Sequence, residues 1–278
     1  MTDDMLDVWR ESAKYWTRHS NTIHKMFTPL SRALIERARI REGQMVLDVA
    51  GGAGEPSLTI AEVVGPAGSV TCTDGVAEMV EAARAEAQRR GLTNMQFHQC
   101  SADSLPFPDN TFDVVVSRLG VMFFPDPVAA MRELLRVLKP GGRLAFAVWG
   151  KSDVNPFCYV VTGVMEQHVK SAAADPDAPN AFRFAEPGKL ASVLTQAGAI
   201  EVEEGVATFD MEAPISPKQF WAIRSQTSDT LREKLTQLSA DEQAQIAVEI
   251  EQAVKEFFPS NEMKFPAQLI IATGKKPN

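Results

Sequence analysis

A glycine-rich segment between residues 46 and 64 has the composition of a cofactor-binding turn. A largely apolar run ending at Ala50 is typical of a strand buried on both faces. Gly51, Gly52 and Gly54 follow at once, just before a predicted helix. Because glycine has no side chain, a ligand can approach the backbone of such a turn. The segment therefore predicts a site for a nucleotide-like cofactor.

An acidic residue, Asp74, ends the next predicted strand, where a carboxylate can accept hydrogen bonds from both hydroxyls of a ribose. NAD sites use an acid in the same way, so Asp74 alone does not separate the cofactor classes. The turn separates them better. A triphosphate site needs a Lys after its last glycine, and none follows here. The dinucleotide fingerprint GxGxxG has Ser57 in place of its third glycine, which fits a cofactor without a pyrophosphate.

The composition favours a protein that acts on small molecules. The chain has 278 residues, 45% of them hydrophobic, and its net charge of −8 argues against nucleic acid as the main partner. Its three cysteines form no CxxC pair or His/Cys cluster, so we expect reduced thiols and no metal site. The acidic N-terminus does not resemble a signal peptide, and no apolar run reaches the roughly 18 residues of a membrane span. These features predict a cytoplasmic protein. Whether it is a monomer or a homodimer stays open.

Strands alternate with helices between residues 45 and 149, which predicts βαβ units and a mainly parallel sheet. The fifth of these strands is predicted to begin at Arg143. Residues 1–40 have a helical pattern, broken at Pro29, and are expected to pack across the cofactor end of the sheet. Near the C-terminus, a capping box predicts a helix that starts at Ser239 and continues to Pro259.

Four motifs in this chain occur in the order typical of one enzyme family. They are VLDVAGGAG, VTCTDGVAEMV, CSADSLPFPDNTFDVVVS and ELLRVLKPGGRLAFAVW. Together they resemble class I S-adenosylmethionine (SAM)-dependent methyltransferases, most closely the branch of ubiquinone/menaquinone C-methyltransferases and many small-molecule methyltransferases. The resemblance covers residues 29–150. It implies an α/β fold with a Rossmann-like, seven-stranded, mostly parallel sheet, helices on both faces and an antiparallel last strand.

The resemblance also implies how the chain is divided. Residues 1–40 would form an N-terminal arm or lid, 41–150 the SAM-binding core, and 151–278 the remainder of the sheet. Within that remainder, segments 151–185 and 210–263 are much longer than simple connections. They follow the fifth and sixth strands, at the edge where this fold binds ligands. With the arm, they are expected to form a helical cap that encloses the substrate.

The motifs further imply which residues bind SAM and release S-adenosylhomocysteine (SAH). Asp48 and the turn that starts at Ala50 would surround the methionine part, and Asp74 would hold the ribose. Two positions depart from the family pattern: Ala50 replaces its first glycine, and Ser101 replaces its usual adenine-reading Asp. Contact with the adenine amino group would then be made through water or by Asp103. The full set predicted to bind the cofactor is Tyr15, Trp16, Asp48, Ala50, Gly51, Gly52, Asp74, Gly75, Met79, Ser101, Ala102, Asp103, Ser117 and Arg118.

Some of these residues also have a plainer interpretation. The glycines could form a tight turn and nothing more, Asp74 could cap a helix, and Trp16 could belong to the core. Arg118 could contact the ligand or form an ion pair with Asp48 or another acid.

Methyl transfer from SAM is an in-line displacement, in which placement and exclusion of water supply most of the rate. A base is needed only if the acceptor must first lose a proton. His19, His24 and His168 are the candidates for that role, whereas His98, on a predicted strand, is expected to be structural.

Aromatic residues in the predicted loop ends and cap favour a small, hydrophobic or aromatic acceptor, although a cap core would also use some of them. Two alternatives to a methyltransferase stay open. An NAD(P)-dependent oxidoreductase shares the turn and the acid, and a non-catalytic SAM-binding protein would need no base. The aromatic set is Phe123, Phe124, Trp149, Phe157, Tyr159, Phe182, Phe184 and Trp221.

Overall fold

The computed structural model describes residues 3–171, 175 and 177–278. Residues 1 and 2 of the predicted arm, and 172–174 and 176 of the predicted cap, lie outside the described residues.

A seven-stranded sheet forms the centre of the molecule. Its order along the sheet is β3-β2-β1-β4-β5-β7-β6; neighbours from β3 to β5 pair in parallel, and β7 runs antiparallel to both β5 and β6. This confirms the predicted α/β sheet with its antiparallel last strand. The strands are β1 Met45–Val49, β2 Ser69–Asp74, β3 Met95–Gln99, β4 Phe112–Arg118, β5 Leu138–Trp149, β6 Ile200–Ala213 and β7 Met263–Lys275.

Among the described residues, two α-helices precede the first strand, and the other eight lie in the connections between strands. Several begin with strong local signals: Asp126 accepts a hydrogen bond from the N–H of Ala129, and Ser216 and Ser239 form capping boxes, the second as predicted. The helices are α1 Asp3–Arg18, α2 Ser20–Ala38, α3 Ser57–Val64, α4 Ala77–Arg90, α5 Pro127–Val137, α6 Pro156–His168, α7 Lys189–Ala197, α8 Pro217–Thr227, α9 Asp229–Thr236 and α10 Ala240–Ala253.

The N-terminal helices break at a different residue from the one predicted. Pro29 lies inside α2, and the break falls at His19, between α1 and α2. A proline in a helix removes one backbone hydrogen bond. Here Phe27 and Leu30, on either side of it, are buried in the core, and this packing keeps the helix continuous.

Two other predicted boundaries are wrong. β5 begins at Leu138 rather than Arg143, because Leu138 already pairs with Phe112 and the residues between form an irregularity in the ladder. The helix that starts after Ser239 ends at Ala253, followed by a separate 3₁₀ turn, so it does not continue to Pro259.

The long connections lie where the topology requires. Between β5 and β6 the chain forms α6 and α7, and between β6 and β7 it forms α8, α9 and α10. The second insertion is shorter than the predicted 210–263, because β6 continues to Ala213. In the described part of the chain, no helix is long and apolar enough to cross a membrane.

Candidate functional site

The carboxyl ends of three adjacent strands bring the predicted site together. β2, β1 and β4 are neighbours in the sheet and run in the same direction. Asp74, the last residue of β2, therefore lies beside the turn that follows β1. Arg118, the last residue of β4, lies on the other side of that turn. Ligands of open parallel sheets bind at this edge.

The backbone is tightly packed at Gly51, in the turn after β1, and at Gly120, in the loop after β4, where a side chain has no room. A Cβ atom added to Gly51 would lie 2.7 Å from Sγ of Cys72 and 3.0 Å from Oδ2 of Asp48. A Cβ added to Gly120 would lie 2.6 Å from Cβ of Ala50. Ala50 itself has a φ of 56°, a left-handed conformation that favours glycine, as the family pattern has there.

The carboxylate of Asp74 is fixed by the backbone around it. The N–H of Gly52 donates to Oδ2 and the N–H of Val76 to Oδ1, each at 3.0 Å. Burial raises the pKa of Asp74 above its usual value, and these N–H groups act in the opposite direction. Since a carboxylate oxygen accepts more than one hydrogen bond, both oxygens keep capacity for ligand hydroxyls.

Asp48 supports the turn from beneath and lines neither of the cavities described below. Ser57 Oγ donates to its Oδ2 at 2.6 Å, while Oδ1 is buried and has no hydrogen-bond partner among the described residues. Burial raises the pKa of Asp48 to about 7, opposed by the bond from Ser57 and the charge of Arg118.

Arg118 is a half-buried cation without an ion-pair partner in the described part of the chain. Its Nη1 donates to Oγ of Ser31 at 2.8 Å, and its guanidinium lies 5.4 Å from the centre of the Phe27 ring. Glu55 and Asp48 act on it only through longer-range attraction, and burial lowers its pKa. Of the two roles left open, the ion pair with Asp48 is therefore wrong.

A large cavity, open at one side, lies against the turn, Asp74 and Arg118. Seven of the residues predicted to bind the cofactor line it: Trp16, Ala50, Gly51, Gly52, Asp74, Met79 and Arg118. The other lining residues are Trp9, Ser20, Ile23, His24, Phe27, Ala53, Glu55, Leu119, Gly120, Phe123 and Phe124. Its wall is therefore mainly apolar, with a few charged groups.

A second, smaller cavity adjoins the first, because Ala50 and Phe124 line both. Four more predicted cofactor residues lie there: Gly75, Ser101, Ala102 and Asp103. The loop predicted to read the adenine edge thus lies beside the ribose acid.

Three predicted cofactor residues line neither cavity: Tyr15, Asp48 and Ser117. The ring of Tyr15 instead has Lys14, Arg18 and Arg232 around it, with each cation within 5.8 Å of its centre. Ser117 Oγ is buried and lacks a hydrogen-bond partner among the described residues.

The histidines have different surroundings. Among the three predicted candidates, His24 alone lines the large cavity, and its Nδ1 lies 2.8 Å from Oε1 of Glu55. Nε2 of His19 lies 2.9 Å from the side-chain oxygen of Gln226, and Nε2 of His168 lies 2.7 Å from Glu249. His98 packs edge-on against a phenylalanine ring, 5.1 Å between centres.

Sequence reasoning missed several lining residues and placed some aromatic ones too close to the ligand. Glu55 was missed although it directly follows the glycines, and the spacing of Ser20, Ile23 and Phe27 marks one face of α2. Of the predicted aromatic set, Phe123 and Phe124 line the cavity. Trp149 and Phe157 do not line the cavity, because their rings pack against Phe27 as part of the cap core.

Comparison with known proteins agrees with this geometry. Residues 47–146 match the family described as a methyltransferase domain. The ubiquinone/menaquinone biosynthesis C-methyltransferase of Cellvibrio japonicus is 41% identical over 133 residues, which cover 48% of this chain and 52% of that protein. The chain spans about half the length of the curated relatives that it matches.

Solved structures share the fold. The YcgJ protein from Bacillus subtilis superposes with a TM-score of 0.54 at 24% identity, over 89% of this chain and 98% of that one. Phosphoethanolamine N-methyltransferase 2 from Haemonchus contortus, solved with SAM, gives 0.53 at 16% identity, over 90% of this chain and 52% of that one. Neither these matches nor the family match supports an oxidoreductase or a non-catalytic protein. The chain therefore carries a class I SAM-dependent methyltransferase domain.

Proposed function

We propose that the protein transfers a methyl group from SAM to a small hydrophobic or aromatic molecule. The observation that carries this proposal is the carboxylate of Asp74, fixed by two backbone N–H groups beside a turn in which Gly51 has no room for a side chain. That arrangement faces a mainly apolar cavity.

The residues at this edge fit each part of SAM. Asp74 would accept the ribose hydroxyls, and Met79 would pack against the adenine, whose polar edge would meet the loop from Ser101 to Asp103. Arg118, a cation without an acidic partner among the described residues, suits the methionine carboxylate. Trp16 Nε1 is buried without a hydrogen-bond partner in the described part of the chain, and a ligand would satisfy it.

SAM supplies an activated methyl group, so the protein's main tasks are to orient the acceptor and exclude water. The ring of Trp9 meets that of Phe123 edge-on, 5.2 Å between centres, and Trp9 also approaches Trp16 at 6.3 Å. These rings bring α1 against the loop after β4, on the wall of the cavity. They would keep bulk water away from the sulfonium.

A small acceptor is favoured over nucleic acid. The net charge of −8 disfavours a phosphate backbone, and the apolar cavity favours a hydrophobic ring. The relative from Cellvibrio japonicus, a C-methyltransferase of ubiquinone and menaquinone biosynthesis, supports an acceptor of this kind. The free thiols of Cys72, Cys100 and Cys158 support a reducing, cytoplasmic location.

Isothermal titration calorimetry with SAM, SAH and NAD tests the proposal. We expect SAM and SAH to bind with micromolar affinity and NAD not to bind. Incubation with methyl-labelled SAM and a panel of aromatic metabolites should then give a methylated product and SAH. Absence of SAM binding at millimolar concentration, or binding without turnover on any acceptor, would contradict it.

A further inference from the structure

A histidine and a buried carboxylate form a pair on the wall of the large cavity. His24, on α2, and Glu55, directly after the glycine turn, both line that cavity. Nδ1 of His24 lies 2.8 Å from Oε1 of Glu55. The side chain of His24 is 32% exposed and that of Glu55 only 9%, so the carboxylate is sheltered and the imidazole reaches open space.

Other side chains fix the carboxylate of Glu55. Nη1 of Arg90 approaches Oε1 at 2.9 Å, and Thr59 Oγ1 donates to Oε2 at 2.7 Å. Although burial by itself would raise the pKa of Glu55, the interactions with His24 and Thr59 lower it below its usual value. Glu55 is therefore a charged hydrogen-bond acceptor at neutral pH.

This geometry selects one tautomer of His24. Nδ1 is buried and lies 2.8 Å from the carboxylate oxygen, although no aligned hydrogen bond joins them. An unprotonated nitrogen at that distance would repel the carboxylate, so the proton of the neutral ring stays on Nδ1. Nε2 then carries the lone pair, and no side chain in the described part of the chain hydrogen-bonds to it. A carboxylate that orients an imidazole in this way makes its other nitrogen a general base.

We propose that Nε2 of His24 removes the proton of the methyl acceptor and that Glu55 is the positioning residue for its imidazole. This inference rests on the proposed methyltransferase function and deepens it. The other two histidines do not meet the same conditions, since Nε2 of His19 already faces Gln226 and His168 lies outside both cavities.

The step balances without a further reactant. The acceptor oxygen attacks the methyl carbon in line and forms the new bond, and the thioether of SAH leaves with the electron pair of the broken C–S bond. The hydroxyl proton moves to Nε2 of His24. Because the side chain is partly exposed, the imidazolium can then release that proton to water.

The pair also indicates the class of acceptor. A neutral imidazole matches a weakly acidic hydroxyl, such as that of a phenol or enol, far better than an aliphatic alcohol. Deprotonation activates both the oxygen and the adjacent ring carbon. If the carbon takes the methyl group, its own hydrogen then leaves as a proton and the oxygen takes up a proton from water, so the net loss is again one proton.

The first experiment uses 4-nitrophenol as a probe, with SAH present, and needs no turnover. At a pH where the free probe is mostly protonated, the phenolate absorbance should rise roughly tenfold on binding, a shift of about one pKa unit. His24→Gln should abolish most of this rise. An equal rise in His24→Gln, or no binding of the probe to the wild type at millimolar concentration, would overturn the proposal.

The second experiment measures methyl transfer from labelled SAM to the best phenolic acceptor. We expect His24→Gln to lower kcat by about 10²–10⁴-fold, while SAM affinity measured by calorimetry changes by less than about twofold. Glu55→Gln should lower kcat with little change in KM, and its thermal unfolding would show that it is folded. A large loss of SAM affinity in His24→Gln would instead assign the residue to cofactor binding.

His168→Gln is the matched control. His168 also pairs with a glutamate, at 2.7 Å from Glu249, but it lies on α6 outside both cavities. Its kcat should equal that of the wild type. Failure of the wild type to bind SAM would contradict the proposed function itself, whereas SAM binding with an unaffected His24→Gln would contradict only the role of His24.

Discussion

Two regions of the molecule differ in the side chains that form them: the cofactor edge of the sheet, with the glycine turn and Asp74, and the cap core, the cluster of phenylalanine rings around Phe265. At the cofactor edge, short side chains and bare backbone surround two acids, the buried Asp48 and the half-buried Asp74. In the cap core, Phe265 is fully buried and its ring centre lies within 6 Å of four other phenylalanine rings, those of Phe157, Phe220, Phe257 and Phe258.

This difference separates two tasks. Polar groups that are buried and only partly satisfied cost stability but leave directed acceptors for a ligand. Aromatic packing stabilises the fold, but the packed rings offer no hydrogen-bonding groups to a ligand. We therefore expect changes in the cap core to act on stability and changes at the cofactor edge to act on binding, and the following substitutions test that division.

Phe265→Ala should have the largest effect on stability. A fully buried phenylalanine replaced by alanine costs about 3–5 kcal/mol, through lost burial and the cavity left behind. Denaturant unfolding should report this loss, while the folded variant keeps its SAM affinity within about threefold. The control is Val248→Ala on the outer face of α10, 64% exposed, which should change stability by less than about 0.5 kcal/mol. A Phe265→Ala protein that is stable but no longer binds SAM would contradict the expectation that the cap core acts on stability and not on binding.

Asp48 should give the cofactor edge a characteristic pH dependence. Its folded pKa of about 7 lies above the ordinary 3.8, so the unfolded chain releases this proton first as pH rises. Its contribution to stability therefore falls between about pH 4 and pH 7, by up to about 1.4 kcal/mol per pH unit, and is constant above that window.

Asp48→Asn removes this titration and keeps an acceptor for Ser57. The difference in unfolding free energy between variant and wild type should grow in the variant's favour from pH 4 to pH 7. Urea unfolding at several pH values measures it, and taking the difference cancels the contributions of other carboxylates. A difference that stays constant with pH would mean that Asp48 is ionised in the folded protein well below neutral pH.

The sequence predicted the cofactor edge better than the cap, for a physical reason. The glycine turn and Asp74 each directly follow or end a strand, and the parallel pairing of β1 with β2 places these two strand ends side by side. In the cap, Phe157 and Phe265 meet through packing between elements far apart in the chain. The same applies to His24 and Glu55, which only the fold of α2 over the turn brings together.

Local signals also failed where packing opposes them. Pro29 predicts a helix break, but burial of its neighbours keeps α2 continuous. Arg118 was correctly placed at the end of β4, yet its lack of an ion-pair partner in the described part of the chain depends on the positions of Asp48 and Glu55 in space. No spacing in the sequence shows that distance.

Asp74→Ala should weaken SAM binding by about 10²-fold, because hydrogen bonds to a charged group contribute about 1.5–3 kcal/mol each. The loss should appear in calorimetry as a raised Kd. Asp153→Ala, an exposed residue before α6, serves as the control and should bind SAM like the wild type. An unchanged Kd in Asp74→Ala would show that this carboxylate does not bind the ribose. The assignment of ligand binding to the polar groups of the cofactor edge would then be wrong.

The smallest expected effect distinguishes two glycines. Alanine at Gly51 would place its Cβ 2.7 Å from Sγ of Cys72, so the turn must shift, at a cost of about 1–3 kcal/mol and with weaker SAM binding. Alanine at Gly163, inside α6, meets nothing within 4 Å and should stabilise the protein by about 0.5–1 kcal/mol. Thermal unfolding and SAM titration of both variants measure the contrast. If Gly51→Ala loses stability but binds SAM normally, the bare backbone of the turn serves the packing of β1 on β2 rather than the ligand.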